Sequence, residues 1–301
     1  MMSNYHNPVM LQECIEGLNI KADGTYVDVT FGGGGHSKEI LKHLGKNGRL
    51  LAFDQDADAQ QNIIEDERFV FVDQNFRYLK NFCRLHGAIP VDGILADLGV
   101  SSYQFDQAER GFSIRFDAEL DMRMNQSAEL SAKEVINTYT EAELHRIFGI
   151  YGEIQNAKSL ANTIVTARLN APIVTVADLK NVISARIPKG KENKYLAQVF
   201  QALRIEVNQE LEALKDFLIQ TADVLAVGGR LVVMSYHSLE DRLVKNFIAK
   251  GKFSGEVEKD FFGNDQKPFD AISRGAITAS AEEIFSNNRA RSAKLRIAVK
   301  K

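Results

Sequence analysis

The chain has 301 residues, a hydrophobic content of 45% and a formal net charge of −3 at pH 7. This length allows a substantial core and suits one large domain or one domain interrupted by another. No apolar run approaches the roughly 20 residues of a membrane span, and the N-terminus lacks a signal-peptide core, so we expect a cytoplasmic protein with no membrane contact. The two cysteines show no metal-ligand spacing with the six histidines, so we predict reduced thiols and no metal site.

The pattern up to about residue 102 is typical of an α/β fold with a parallel sheet. Apolar strands are predicted at residues 26–31, 50–53, 69–72 and 93–98, with helices between them near Ser37, Ala57 and Tyr78. Alternation of buried strands and amphipathic helices is the signature of βαβ units.

This alternation stops between residues 107 and 208, where the segment predicts helices, two of them opened by capping boxes at Ser131–Glu134 and Thr140–Glu143. The parallel pattern then resumes with a helix over 210–225, a glycine stop at 227–229 and a buried strand over 230–236. We therefore predict a discontinuous Rossmann-like domain, residues 1–106 and 209–301, with an inserted helical domain at 107–208. Residues 294–299 alternate and predict an antiparallel edge strand, whereas 251–284 predicts a long surface loop.

A glycine loop, Gly32 to Gly35, joins the first predicted strand to its helix. Residues without a Cβ let the backbone adopt positive φ and let a ligand approach the main chain beside a helix N-terminus. A glycine cluster after a strand can also be a simple tight turn. Asp54 favours the ligand interpretation, because it ends the second strand roughly 20 residues later, where such folds place the carboxylate that binds ribose.

Polar and aromatic residues also follow the third, fourth and fifth predicted strands. Phe76 could stack on an adenine ring or belong to the core. Asp97 would lie beside the reactive end of a cofactor, with Ser101 and Ser102 in the next loop, although it could instead cap a turn.

After the fifth predicted strand, Ser238 to Asp241 makes an ordinary helix start. The helix start does not explain His237, which is either a catalytic or a structural residue.

Because net charge does not indicate a nucleic-acid partner, phosphate contacts would have to come from local basic clusters. Two such clusters are present, although runs of charge are usually solvated faces. They are Arg289, Arg291, Lys294, Arg296, Lys300 and Lys301, and Arg186, Lys189, Lys191 and Lys194.

The motifs together resemble the bacterial 16S ribosomal RNA (cytosine-N4)-methyltransferases of the RsmH (MraW) family over nearly the full length. The resemblance rests on collinear motifs at residues 6–11 (HNPVML), 30–37 (TFGGGGHS), 92–102 (DGILADLGVSS), 109–113 (ERGFS), 120–124 (LDMRM), 200–205 (FQALRI), 235–242 (SYHSLEDR) and 289–292 (RARS). It implies a class I methyltransferase fold with an inserted helical domain that holds RNA. It also implies that S-adenosylmethionine is contacted by Gly34, Gly35, His36, Asp54, Phe76, Asp97 and Gln104.

The resemblance further implies methyl transfer to the N4 amine of a cytidine in the decoding region of 16S rRNA, with Asp97 and His237 as the catalytic candidates. We expect the substrate to be an assembled or nearly assembled small subunit, because two short basic clusters provide little grip on naked RNA. Homodimerisation is left open. The residues by themselves also allow a nicotinamide dehydrogenase, or an RNA-binding ribosome-assembly protein that retains a vestigial cofactor fold.

Overall fold

The computed structural model describes residues 8–100 and 108–301, and within them the strands form a seven-stranded sheet. The strands are β1 (Thr25–Asp28), β2 (Arg49–Asp54), β3 (Phe69–Asp73), β4 (Val91–Asp97), β5 (Leu225–Ser235), β6 (Phe269–Ala271) and β7 (Lys294–Lys300). Their order is β3-β2-β1-β4-β5-β7-β6. β1 to β5 are parallel, whereas β7 pairs antiparallel with both β5 and β6.

Helices of the described residues cover the sheet or form the inserted segment. The α-helices are Leu11–Leu18, Gly35–His43, Leu79–Leu85, Ala132–Thr138, Glu141–Ile150, Ala157–Arg168, Val176–Ile183, Glu192–Asn208, Glu210–Val224, Ser238–Lys250 and Ala281–Ser286. Short 3₁₀ helices lie at Ala57–Asn62, Phe76–Tyr78, Ala108–Arg110, Ser184–Arg186 and Asn288–Ser292. The helix predicted near Ala57 is therefore a 3₁₀ helix, and both predicted capping boxes, at Ser131 and Thr140, are confirmed.

The central strands are apolar on both faces because both faces of the sheet are covered. Val27 and Leu51 pack into one buried cluster, while their neighbours Tyr26 and Leu50 pack into another on the opposite face. Residues at alternate positions of a strand point to opposite faces. A strand buried on both sides is therefore a continuous apolar run, which is why the parallel strands could be recognised in the sequence.

The chain divides into two compact units. One contains Met1–Gly99 and Leu211–Lys301, and the other contains Val100–Glu210. The second unit has its own core, built around fully buried side chains such as Phe148, Leu160 and Leu203. The predicted boundary after residue 106 lies outside the described residues and stays a prediction.

Three predictions about the second half of the sheet are wrong. β7 is not an edge strand, because β6 pairs along its outer side and forms the edge. β6 has three residues and a single buried side chain, Phe269, which is too short to show an alternating pattern within the predicted loop. β5 begins at Leu225, so Gly228 and Gly229 lie inside the strand instead of before it; Leu225 pairs with Val91 across a register shift.

Strand order determines where a ligand can bind. β2 and β3 lie on one side of β1, and β4 lies on the other. In open α/β sheets, the crevice outside the carboxyl ends of the strands at such a reversal is the usual binding site. The carboxyl edge of β1, β2, β4 and β5 is therefore the part of this unit to search for a functional site. Among the helices of the described residues, none combines the length and the apolar character that crossing a bilayer requires.

Candidate active site

Packing explains the glycines at positions 34 and 35 of the loop, whereas the space beside Gly33 is unoccupied by described residues. Gly34 has a φ of +74°, and a Cβ there would lie 2.9 Å from the Phe31 ring. A Cβ on Gly35 would lie 2.3 Å from Cγ of Pro8. A Cβ on Gly33 would meet nothing within 4 Å. The main chain at Gly33 is thus accessible next to the N-terminus of helix Gly35–His43, where free N–H groups favour a polar or anionic ligand group.

Asp54, at the end of β2, is tied to the glycine loop. Its Oδ2 accepts a hydrogen bond from the Gly32 N–H at 2.8 Å, and its Oδ1 accepts one from the Asp56 N–H at 2.9 Å. Burial raises the pKa of Asp54 to about 6, against the lowering effect of these two bonds. Each carboxylate oxygen has a second lone pair, so both can still accept a hydrogen bond from a ribose hydroxyl.

Asp97, at the end of β4, is held from three directions. The Tyr236 hydroxyl donates to Asp97 Oδ1 at 2.8 Å, and His36 Nδ1 lies 3.8 Å from Asp97 Oδ2. The Asp97 N–H donates to Thr30 Oγ1 at 2.7 Å. Burial raises the pKa of Asp97 to about 6, while His36 and the Tyr236 hydroxyl lower it. The carboxylate is thus fixed in position and is still ionised at neutral pH.

A further carboxylate, Asp28, is fully buried at the end of β1 and supports this arrangement. It accepts a 2.7 Å hydrogen bond from the Ser37 hydroxyl and a 3.1 Å bond from the Thr30 N–H. Because Thr30 also accepts from the main chain of Asp97, the ends of β1 and β4 are linked. Burial raises the pKa of Asp28, against these hydrogen bonds.

His36 is buried in the first turn of its helix, with 6% of its surface exposed. Its Nε2 lies 3.2 Å from the Val9 carbonyl oxygen, which can only accept a hydrogen bond, so Nε2 carries a hydrogen. Its Nδ1 is the atom that faces Asp97. The structure therefore brings two of the predicted cofactor residues together.

His237 has a structural role that the sequence did not reveal. It is the N-cap of helix Ser238–Lys250, which begins at Ser238 as predicted. Its Nδ1 accepts from the Glu240 N–H at 3.5 Å, and Glu240 Oε2 accepts from the N–H of Tyr236 at 2.9 Å. An accepting Nδ1 leaves the hydrogen of a neutral imidazole on Nε2. Nε2 lies 3.2 Å from Glu240 Oε1 but without hydrogen-bond geometry, and it is buried without a hydrogen-bond partner among the described residues.

Phe76 lies at the same edge, after β3. The ring is half-buried and packs edge-on against Phe217, with centroids 5.5 Å apart. Core packing therefore accounts for one edge of this ring, and contact with an adenine ring stays a prediction. Gln104, Ser101 and Ser102 lie outside the described residues.

The C-terminal basic cluster does not form a single patch. β7 begins at Lys294, which pairs with Ser235 at the carboxyl end of β5, and it ends at Lys300 on the opposite edge of the sheet. Between them, Arg296 forms an ion pair with Asp241 at 2.7 Å. Of this cluster, therefore, only Lys294 and the arginines before β7 lie at the edge that carries Asp97. In the helical unit, lysines 189, 191 and 194 are exposed.

Sequence reasoning missed Tyr236, Thr30, Ser37 and Asp28 as members of this site. The available signal was position, because each one ends a strand at the carboxyl edge or lies in the loop or first helical turn after it. The contact between Tyr236 and Asp97 joins residues 139 positions apart, and no local pattern predicts it.

The Rossmann-like sheet, the glycine loop after β1 and the buried or half-buried carboxylates at the ends of β1, β2 and β4 fit the class of S-adenosylmethionine-dependent methyltransferases, to which the family match assigns the chain. The sequence model of the MraW methylase family matches residues 3–301, and the chain belongs to this family. This confirms the predicted resemblance, fold class and cofactor.

The chain is similar over its full length to curated relatives named ribosomal RNA small subunit methyltransferase H. The protein from Christiangramia forsetii is 60% identical over 300 residues, which is 100% of this chain and 99% of that protein. The protein from Bacteroides fragilis strain YCH46 is 56% identical over 299 residues, or 99% of this chain and 98% of that protein. A solved structure of an rRNA methylase from Streptococcus thermophilus aligns with 96% of this chain and 93% of that protein's chain, at 14% identity. The TM-score of 0.39 is too low for this likeness to add to the family assignment.

Proposed function

We propose that this chain transfers the methyl group of S-adenosylmethionine to the N4 amine of a cytidine in the decoding region of 16S rRNA. The observation that carries the proposal is the fixed, ionised carboxylate of Asp97 at the carboxyl edge of a MraW-family sheet. Relatives named as small-subunit rRNA methyltransferases support ribosomal RNA as the substrate. The cytosine N4 target comes from the sequence resemblance.

The cofactor would be held at the carboxyl edge of β1, β2 and β4. The open main chain at Gly33 and the two remaining acceptor positions of Asp54 suit a ligand with polar groups and a ribose. Half-buried carboxylates such as Asp54 and Asp97 also suit a cationic ligand. S-adenosylmethionine, when bound, supplies an electrophilic methyl group on a positively charged sulfur. The residues assigned to it are Gly34, Gly35, His36, Asp54, Phe76, Asp97 and Gln104.

On the substrate side, the task of the protein is to position the base. The amine nitrogen must approach the methyl carbon to roughly 3 to 3.5 Å in line with the sulfur. The amine lone pair is delocalised into the cytosine ring, and a hydrogen-bond acceptor on an amine hydrogen helps to localise it on nitrogen. Asp97 is assigned this acceptor role, since a pKa of about 6 keeps it ionised at neutral pH. The Nε2 hydrogen of His237, which has no hydrogen-bond partner among the described residues although Glu240 Oε1 lies 3.2 Å away, is assigned to an acceptor on the base.

The preferred substrate is an assembled or nearly assembled small subunit, because a net charge of −3 provides little sequence-independent attraction for naked RNA. A folded particle presents the base in a fixed, unstacked geometry. We assign RNA recognition to the helical unit, and a ribosomal substrate implies a cytoplasmic location.

The test is transfer of a tritiated methyl group to small subunits from a strain that lacks the enzyme, and to the same amount of deproteinised RNA. Nucleoside mass spectrometry then identifies the product. We expect N4-methylated cytidine, formed mainly in the subunits. Equal labelling of naked RNA would overturn the assembly requirement, and a different nucleoside would overturn the assigned target.

A further inference from the structure

An exposed phenylalanine stands at the edge of the sheet that carries the candidate active site. Phe285 lies on helix Ala281–Ser286 with 94% of its surface exposed. Single exposed apolar side chains are common, so the exposure of Phe285 becomes informative only together with its position and with the charged residues around it. The mechanism above does not use it.

A short series of contacts places this helix beside the proposed site. Glu283 Oε1 accepts a hydrogen bond from the Met10 N–H at 2.6 Å. The preceding residue, Val9, has its carbonyl oxygen 3.2 Å from His36 Nε2, and the other ring nitrogen of His36 lies 3.8 Å from Asp97. The helix is therefore attached to the residues that surround the carboxylate.

Contacts of the neighbouring residues fix helix Ala281–Ser286 in place, so that Phe285 points to solvent. Ser280 caps the helix, with its hydroxyl accepting from the Glu283 N–H at 3.1 Å. The Asn287 N–H donates to the Glu283 carbonyl oxygen at 2.6 Å, and Ile284 packs against a buried cluster. The exposure of Phe285 is thus a property of a helix anchored at both ends.

Two exposed arginines flank this helix in sequence at the same edge. Arg291 lies in the 3₁₀ helix Asn288–Ser292, directly before β7, and Arg274 lies in the turn after β6. Neither side chain forms an ion pair or hydrogen bond with another described residue. Residues 272–294 carry four basic and two acidic side chains, although the whole chain is negative. The charge here is complementary to a nucleic acid.

We propose that Phe285, Arg274 and Arg291 form an RNA anchor that binds a nucleotide flanking the target cytidine. Phe285 stacks on an unpaired base, and the two arginines contact the adjoining phosphates. This combination of an aromatic platform and basic side chains is the common solution for single-stranded RNA. The inference rests on the proposed function, because it names how the same substrate is held.

A second exposed phenylalanine provides a matched control. Phe261 is 97% exposed and lies between the bridged residues Lys259 and Asp265. This segment precedes β6, which starts at the edge opposite to Asp97, since Phe269 pairs with Lys300. Phe261 therefore matches Phe285 in residue type and exposure but not in position.

The experiment compares Phe285→Ala and Phe261→Ala for methyl transfer to small subunits and, separately, for co-sedimentation with them. For Phe285→Ala we expect the KM for subunits and the dissociation constant to rise about fivefold or more, in line with the loss of one base–aromatic stack. The turnover number and the affinity for S-adenosylmethionine should stay unchanged, Phe285→Trp should restore binding, and Phe261→Ala should behave as the parent protein. Equal binding by the two alanine variants would overturn the anchor.

The arginine contribution is read from salt dependence, with Lys301→Ala as the control at the opposite edge. Each phosphate contact on a single strand contributes about 0.7 to the slope of log affinity against log salt concentration. Arg291→Ala should lower that slope by about this amount, and an unchanged slope would contradict a phosphate contact. Co-sedimentation distinguishes the failure of the anchor from the failure of the proposed function, because it measures binding without methyl transfer. If the variants change binding to subunits as predicted but the parent protein does not methylate them, the proposed function is refuted and the anchor is supported.

Discussion

Tyr236 and Asp97 are joined by a 2.8 Å hydrogen bond, in which the phenol at the end of β5 donates to Oδ1 of the carboxylate at the end of β4. Asp97 pairs in register with Met234, so the bond closes the gap between two neighbouring parallel strands. The hydroxyl stabilises the charged form of a carboxylate whose pKa burial raises to about 6. This bond makes Tyr236 a positioning residue for the proposed reaction.

Replacing Tyr236 with Phe removes this donor and should raise the pKa of Asp97 further. Since the ionised form is the proposed acceptor, the acidic limb of kcat against pH should move to higher pH, and kcat at pH 7 should fall about tenfold, as expected for loss of a hydrogen bond to a charged group. Tyr139→Phe is the control, because that phenol donates to Glu206 in the helical unit. An unshifted acidic limb in Tyr236→Phe would exclude the positioning role.

The Asp97→Asn variant tests the cost of keeping this carboxylate charged. A folded-state pKa of about 6 lies above the ordinary value, so the group favours the folded state when it is protonated, and this contribution is lost as pH rises through about 6. Without cofactor, Asp97→Asn should therefore be more stable than the parent protein at pH 8, by on the order of 1–2 kcal/mol. The difference should shrink towards pH 5. Urea unfolding at the two pH values measures it, and an equal difference at both would contradict the assigned titration.

Asp54→Ala should weaken S-adenosylmethionine binding by about 2 kcal/mol or more, because two charge-assisted hydrogen bonds to ribose would be lost. The variant also removes the hydrogen bond that the Gly32 N–H donates to Asp54 Oδ2, so the glycine loop loses one of its fixed contacts. Calorimetric titration gives the affinity. Asp66→Ala is a suitable control, since Asp66 pairs with Arg68 before β3, at the other end of the strands. Parent-like affinity in a folded Asp54→Ala protein would remove Asp54 from the cofactor site.

Two substitutions of His237 separate its capping role from a catalytic one. Ala removes both the cap and Nε2, and should cost about 1 kcal/mol of stability as well as activity. Asn is a good N-cap but does not place a donor where the buried Nε2 lies, so His237→Asn should unfold as the parent protein does and still turn over slowly. Affinity for the cofactor should change little in either variant. Parent-like turnover in His237→Asn would show that the histidine only caps the helix.

Structural features that depend on residues close together in the chain could be predicted from the sequence. Continuous apolar runs identified the parallel strands, because strands covered on both faces need apolar residues at every position. Glycines after β1 and carboxylates at strand ends then identified the carboxyl edge, since all parallel strands end there. The capping boxes at Ser131 and Thr140 could also be predicted, because the capping residue and its partner lie only three residues apart in the sequence.

Contacts between distant segments were decided only by the tertiary structure. The bond from Tyr236 to Asp97 exists because β5 lies next to β4, and the basic residues from Lys294 to Lys300 are separated because an extended strand carries its two ends to opposite edges. The sequence left His237 as either a catalytic or a structural residue, because Ser, Thr, Asp and Asn are the common N-caps and histidine is not among them. Residue types and spacing therefore determined the class of chemistry. The order of strands in the sheet decided which side chains meet to perform it, because hydrogen bonds and ion pairs form only within a few ångströms.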